Sequence, residues 1–260
     1  MNIRQYYRQS AVMSLNASLI SLVPIILIVI GFSLFPSGLL LILSSIPFFI
    51  YSFICFQNYQ LQNKRFEETM DFGEMDDPAE VLDQSQWFIA FLPAPSLRMV
   101  LFEPKGRMVG EIKDIQFWKI RWFLPYWIDR FIPKKYGVYN HQQQFIGKIL
   151  IKKRKIQLWK PQEEFSANLY CTDYNGKKES WSFEEKIFST HKEWLLTDVR
   201  YQVEHLGEVA RLKKGWMPKG CEKYFKDANT PIFSMQKELK KEDKLILLGL
   251  LVRFYCYREH

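Results

Sequence analysis

From Gln9 to Asn63 the chain carries no Asp, Glu, Lys or Arg, a run of 55 uncharged residues. A bilayer core takes about 20 apolar residues per helix, so this run has room for two spans and a tight turn. The composition predicts a first span over 11–34 and a second over 39–57. Pro24 and Pro47 are the kink candidates, which neighbouring membrane helices can tolerate. Between the spans, Phe35-Pro36-Ser37-Gly38 supplies turn chemistry without charge. A cleaved signal peptide is the alternative. Its apolar region would be about 7–15 residues with a small-residue cleavage site, and a second span would not follow at once.

Charge beside the spans predicts orientation. Arg4 and Arg8 precede them, Lys64 and Arg65 follow them, and the tip between them carries none. By the positive-inside rule both termini face the cytoplasm, and the chain is a two-span protein of the cell membrane.

The rest of the chain has a different texture. Residues 64–83 form an acidic connector holding Glu67, Glu68, Asp71, Glu74, Asp76, Asp77, Glu80 and Asp83 against Lys64 and Arg65. It reads as a solvated linker or short helix, or as a segment that folds back over a basic face. Residues 84–260 then carry 32 basic and 20 acidic side chains, a net charge of +12 within a chain total of +8. Such a balance points to an acidic partner, nucleic acid or anionic lipid. A membrane anchor favours lipid, and nucleic acid is not expected.

Short apolar runs broken by turn signals predict a β-rich domain over 84–260. Residues 97–102 and 107–112 flank Glu103-Pro104-Lys105-Gly106 as one hairpin. A second hairpin joins 136–139 to 145–151 through Asn140–Gln144. Further strands are predicted at 156–159, 167–171, 179–183, 195–201 and 206–212, with an Asn175-Gly176 turn suited to a type I′ hairpin. The Trp- and Pro-rich stretch 117–133 reads as core packing, or else as an irregular insertion or a membrane-facing edge, and an exposed aromatic run over 117–131 would suit a protein partner. At the end, Leu245–Val252 is apolar nearly all round, with Glu242 and Asp243 placed to favour a helix dipole. This predicts a helix over 242–257 enclosed by protein, a buried terminal strand being the alternative.

Three segments share a shape: Met108-Val109-Gly110-Glu111-Ile112, Phe145-Ile146-Gly147-Lys148-Ile149 and His205-Leu206-Gly207-Glu208-Val209. A glycine at such a place permits a bulge or a close backbone approach, which curling strands need. With these segments and the apolar end, the chain resembles the tubby C-terminal-like family, including its LURP-one-related and phospholipid-scramblase branches. Gly106 and Gly110 match the two glycines of that family's strand–turn–strand pattern, with Ile112 as the following apolar position. Gly147 and Gly207 match the second glycine alone; Gln143 and Val203 stand where the first would be, and the acidic residue that often opens the turn is missing there. The layout is similar to that of bacterial members joined to short membrane spans.

The resemblance implies an antiparallel closed β-barrel of about twelve strands around a hydrophobic C-terminal helix, here the stretch Leu245–Tyr257. The expected fold class is therefore α+β: a transmembrane helical hairpin, then a mainly antiparallel closed barrel around a helix. A pleckstrin-homology-like domain behind the two spans is the rival fold. Such a module needs only about 100 residues, so 84–260 would hold two in tandem.

Catalytic signatures are missing from the sequence. His141, His191, His205 and His260 have no metal-ligand spacing, and no phosphate loop, dinucleotide fingerprint or nucleophile elbow is present. Glu204 and His205 are neighbours, which on a strand would point to opposite faces. No metal, no cofactor and no enzymatic activity are expected. Cys55, Cys171, Cys221 and Cys256 form no C-x-x-C pair, which argues against a disulfide framework or a structural zinc site. The candidate lipid-binding residues are Lys148, Lys152, Lys153, Arg154, Lys155 and Lys160. The alternatives are a protein-partner adaptor or signalling scaffold at the membrane, or a scramblase-like activity.

Overall fold

The computed structural model describes residues 1–32, 38–70, 80–94, 96–116, 132–160, 165–175, 178–193 and 198–256. The expected turn at 35–38, the middle of the acidic connector, the aromatic stretch 117–131, Gly176 and His260 lie largely or wholly outside them. By internal contacts the chain divides into two units, Asn2–Phe72 and Gly73–His260 together with Met1.

The first unit is helical. Helix α1 spans Ile3–Ile20, α2 spans Val23–Phe32 and α3 spans Gly38–Glu68. Asn2 caps α1 by accepting from the Gln5 backbone amide on its side-chain oxygen at 2.9 Å, and the Gln5 side-chain Oε1 accepts in turn from the Asn2 backbone amide at 3.0 Å, a capping box. Pro24 does not kink a continuous helix as the sequence suggested. It stands at the second position of α2, where a missing N–H costs little, and the break falls before it at Ser21-Leu22. Pro47 lies inside α3, which continues past the expected end at residue 57.

Two stretches, Ile3–Gly31 and Leu41–Glu68, are long and apolar enough to cross a membrane, and little of either is buried by the chain itself. Helix α1 packs on α3. At their contact the Ser18 and Ser52 hydroxyls each donate to the other residue's carbonyl oxygen at 3.0 Å. In a bundle without water such reciprocal bonds hold two apolar helices in register.

The second unit is a closed antiparallel barrel of twelve strands. They are β1 Gln86–Phe91, β2 Arg98–Phe102, β3 Met108–Asp114, β4 Lys134–Asn140, β5 Phe145–Lys152, β6 Lys155–Lys160, β7 Phe165–Asn175, β8 Lys178–Phe183, β9 Lys186–Lys192, β10 Asp198–Val203, β11 Gly207–Lys213 and β12 Ile232–Met235. Each strand pairs with its sequence neighbour, and β12 closes the ring on β1. One ring of this size overturns the tandem pleckstrin-homology-like alternative. The sequence reading missed β1, β9 and β12.

Helix α4, Lys241–Cys256, is buried inside the ring. Its residues Leu245–Val252 share one apolar core with the inward positions of the strands. Gly249 lets β6 approach: a Cβ there would meet Leu158 Cδ2 at 2.8 Å and Ile156 Cγ2 at 3.6 Å. The helix is fixed by its ends. Lys244 Nζ donates to the carbonyls of Leu82 and Gln84 at 2.9 and 3.3 Å, and Asp243 pairs with Lys186 at 2.7 Å. At the other end Arg253 meets Glu179 at 3.3 Å and stacks over the Trp181 ring. Lys134 Nζ donates to the Cys256 carbonyl at 3.3 Å. A cation in the last turn complements the helix dipole.

The connector's end belongs to the barrel. Val81 and Leu82, in a 3-10 turn over Val81–Asp83, are buried in its core. Glu80 and Asp83 engage Lys241, at 3.6 and 2.8 Å.

The repeated glycine segments each coincide with a β-bulge. Val109, Ile146 and Val209 are the extra residues, between the paired positions Met108/Gly110, Phe145/Gly147 and Glu208/Ala210. The glycines themselves divide into two kinds. Gly110 and Gly147 are close-approach positions, where a Cβ would lie 2.8 Å from the Tyr139 carbonyl oxygen and 2.9 Å from that of Trp159. Gly207 has open space around it and a φ of +73°, so it serves the β10–β11 turn instead. Gly106 has a φ of +77°, and Gln143 takes the same left-handed conformation at +63° in the corresponding place.

Candidate functional site

Strand alternation sorts the candidate cations into two groups. On β5 the side chains of Ile149 and Ile151 are buried inward, so Lys148, Leu150 and Lys152 face outward; on β6, Ile156 and Leu158 face inward and Lys155, Gln157 and Trp159 outward. Lys160 follows Trp159 and therefore falls on the inner face, buried. It is separated from the other five. Lys153 and Arg154 form the exposed turn between β5 and β6.

The register builds a three-by-three outer grid across β5, β6 and β7. Its rows are Lys148–Trp159–Ser166, Leu150–Gln157–Asn168 and Lys152–Lys155–Tyr170. Rows stand about 6–7 Å apart and strands about 4.8 Å apart. Strand β4 extends the middle row with Lys135, opposite Leu150. The Lys155 ammonium lies 5.0 Å from the Tyr170 ring centroid, and Gln157 donates to Asn168 at 2.7 Å.

Two properties characterise this wall, and it is their combination on adjacent strands that matters. First, β5, the β5–β6 turn, β6 and β7 as far as Thr172 carry no acidic residue. Second, Lys135, Lys148, Lys152, Arg154 and Lys155 make no ion pair among the described residues. On other strands several cations are matched: Arg98 with Glu111 at 2.5 Å, Arg107 with Glu103, Arg200 with Glu193 at 2.7 Å, and Arg211 with both Asp198 oxygens at 2.8 Å. Lys178 on β8 and Lys213 on β11, like the wall's cations, make no ion pair among the described residues. Hydrogen bonding from Arg211 holds the Asp198 carboxyl below its ordinary value despite burial. At an end of the barrel Glu179 bridges Lys192 and Arg253; burial raises its pKa, but the two cations outweigh that and leave it lowered.

The sequence reading missed Lys135, Trp159 and Tyr170 as members of the wall. Period-2 alternation was the available signal, and it also separates Lys160 from Trp159. A second feature was missed: a cavity of about 290 Å³ over β11, β12 and β1, lined by Arg211, Lys213, Trp216, Gln86 and Ser234 among others. Lys213 Nζ lies 4.8 Å from the Trp216 ring centroid.

The three described histidines do not converge. His141 lies in the β4–β5 turn, His191 on β9 and His205 in the β10–β11 turn. Glu204 and His205 are therefore turn residues rather than strand neighbours, with φ +71° at His205. All four cysteines are free, and burial pushes the Cys171 thiol up.

No family model, curated protein or solved structure matches this chain.

Proposed function

We propose that this chain is a membrane-anchored, tubby-like barrel whose β4–β7 wall binds anionic lipid headgroups at the cytoplasmic leaflet, as a binding module without a catalytic step. The observation that carries the reading is a set of cations on β4–β6 that make no ion pair among the described residues, on a wall whose strands carry no acidic residue until Asp173 of β7. A folded surface holding Lys135, Lys148, Lys152, Arg154 and Lys155 without carboxylates leaves their charge free for an external anion. Each is worth about 1 kcal/mol near an anionic leaflet, so even a weakly ordered contact suffices for a tethered domain.

Support for the tubby-like assignment is the twelve-strand ring, the enclosed terminal helix and the bulges at the repeated glycine segments. Support for the anchor is the pair of spanning-length helices; the positive-inside rule, applied to Arg4, Arg8, Lys64 and Arg65 beside them, favours both termini on the cytoplasmic side.

The test uses the full chain in zwitterionic nanodiscs, mixed with free vesicles and separated by flotation. Vesicles containing phosphatidylglycerol should co-float with the discs at low salt and separate at about 0.5 M salt, where screening is short-ranged. Equal capture of purely phosphatidylcholine vesicles, or no capture at all, contradicts the reading.

A second reading is a protein-partner adaptor. The cavity beside Trp216 favours it, because an exposed tryptophan at a concave surface suits a partner's anchor residue. Cross-linking from this cavity in membranes should return one partner, which Trp216→Ala should release.

A further inference from the structure

The charge of the wall explains attraction to a lipid surface but leaves its aromatic residues unused. Among the described residues of the barrel unit, the strongly exposed aromatic side chains are Trp159, Tyr170, Tyr174 and Trp216. Two of these four belong to the grid, and Tyr174 is on the same strand as Tyr170. Trp159 is 47% exposed although its neighbours on β6 are buried. Tryptophan and tyrosine have an apolar ring and a polar tip, and they concentrate where a bilayer's headgroups meet its acyl chains.

Position decides how they can be used. Docking by the β5–β6 turn alone would engage Lys152–Lys155 and leave Trp159, four residues along β6, about 13 Å away from the surface. Lying flat, the same strands bring Lys135, Lys148, Lys152, Lys155, Trp159 and Tyr170 to the leaflet together. The grid offers no carboxylate to oppose this, and Leu150 in its middle row adds apolar area. Lysine stems can lie along such a surface while the ammonium groups reach phosphates.

Resting on the charge reading above, we infer that the barrel lies side-on, with the β5–β7 wall against the leaflet and Trp159 and Tyr170 entering the headgroup layer between the lysines. The occupant is an anionic bilayer surface. Cations interleaved with aromatic rings also suit single-stranded nucleic acid, but the spanning-length helices favour the bilayer.

The experiment compares the full chain with its Trp159→Phe variant in nanodiscs of phosphatidylcholine with or without phosphatidylglycerol, with brominated acyl chains as quencher. The difference in emission between the two proteins isolates Trp159. This component should be quenched in anionic discs and spared in zwitterionic ones. In the flotation assay, Lys148→Gln should weaken vesicle capture about as much as Lys153→Gln, near fivefold for each charge.

If anionic vesicles are captured while Trp159 stays unquenched and only Lys153→Gln matters, the charge reading stands and the side-on contact is overturned. If capture and quenching both fail, the two fall together. If polyuridylate shifts the Trp159 component and anionic lipid does not, the wall is a nucleic-acid surface and the inference is wrong. Equal melting of the variants and the parent chain shows that each comparison is between folded proteins.

Discussion

Lys155 on β6 and Tyr170 on β7 stand opposite each other on the outer wall, with the ammonium 5.0 Å from the ring centroid. The ring keeps the lysine on the surface without neutralising it, which a carboxylate partner would do. At an exposed site such a contact is worth about 0.5–1 kcal/mol. Tyr170→Phe should therefore leave melting and vesicle capture nearly unchanged, whereas Tyr170→Ala should weaken capture. Parallel flotation and thermal-melting measurements on the two variants check this.

At an end of the barrel, Glu179 lies between Lys192 at 2.6 Å and Arg253 at 3.3 Å, nearly buried. Its folded-state pKa is lowered from 4.5. The stability it contributes is therefore fully present above about pH 4.5 and lost as pH falls through the folded value. Removing one member of a buried pair costs about 3–5 kcal/mol because the remaining charge is stranded. Glu179→Gln should thus melt well below the parent chain at pH 7 and converge with it in acid. A pH series of melting curves shows whether the gap closes.

The two kinds of glycine in the repeated segments give an ordering. Gly147→Ala would push a Cβ to 2.9 Å from a backbone oxygen of the adjacent strand, where nothing flexible can yield. Gly207→Ala meets open space and costs only the left-handed conformation, about 1–2 kcal/mol. Chemical denaturation should find Gly147→Ala the more destabilising of the two.

Ser18 and Ser52 exchange hydroxyl-to-carbonyl bonds between α1 and α3. Interhelical bonds of this kind average about 0.6 kcal/mol in membranes, reaching about 1.7. Ser18→Ala should weaken the helical unit by that order, and the Ser18→Ala, Ser52→Ala double variant by less than the sum of the two. Denaturant titration in detergent micelles measures the coupling directly.

Particular residues show what could be read from the sequence and what could not. The uncharged run and the enclosed helix were legible because each is a long stretch with one solvent preference. Leu245–Val252 has no polar face, so it had to be surrounded, and it is. Strand β12 is four residues long, and β9 reads Lys-Ile-Phe-Ser-Thr-His-Lys, too polar to signal a strand locally. Both form because neighbours on either side supply the hydrogen bonds. Pro24 was placed one step wrong, since a proline marks a helix start as readily as a kink. The site was half legible. The run of basic residues was plain, but a linear cluster on two strands divides by parity. Lys160 leaves the wall, and Lys135 joins it only through the β4–β5 register, which pairs it with Leu150.

The most direct test of the central claim is lysine-labelling mass spectrometry on the full chain in nanodiscs, with Lys219 as an exposed reference. In discs containing phosphatidylglycerol, Lys135, Lys148, Lys152 and Lys155 should lose reactivity relative to Lys219 and regain it at high salt. Reactivity at the four that is the same in anionic and zwitterionic discs would contradict the account.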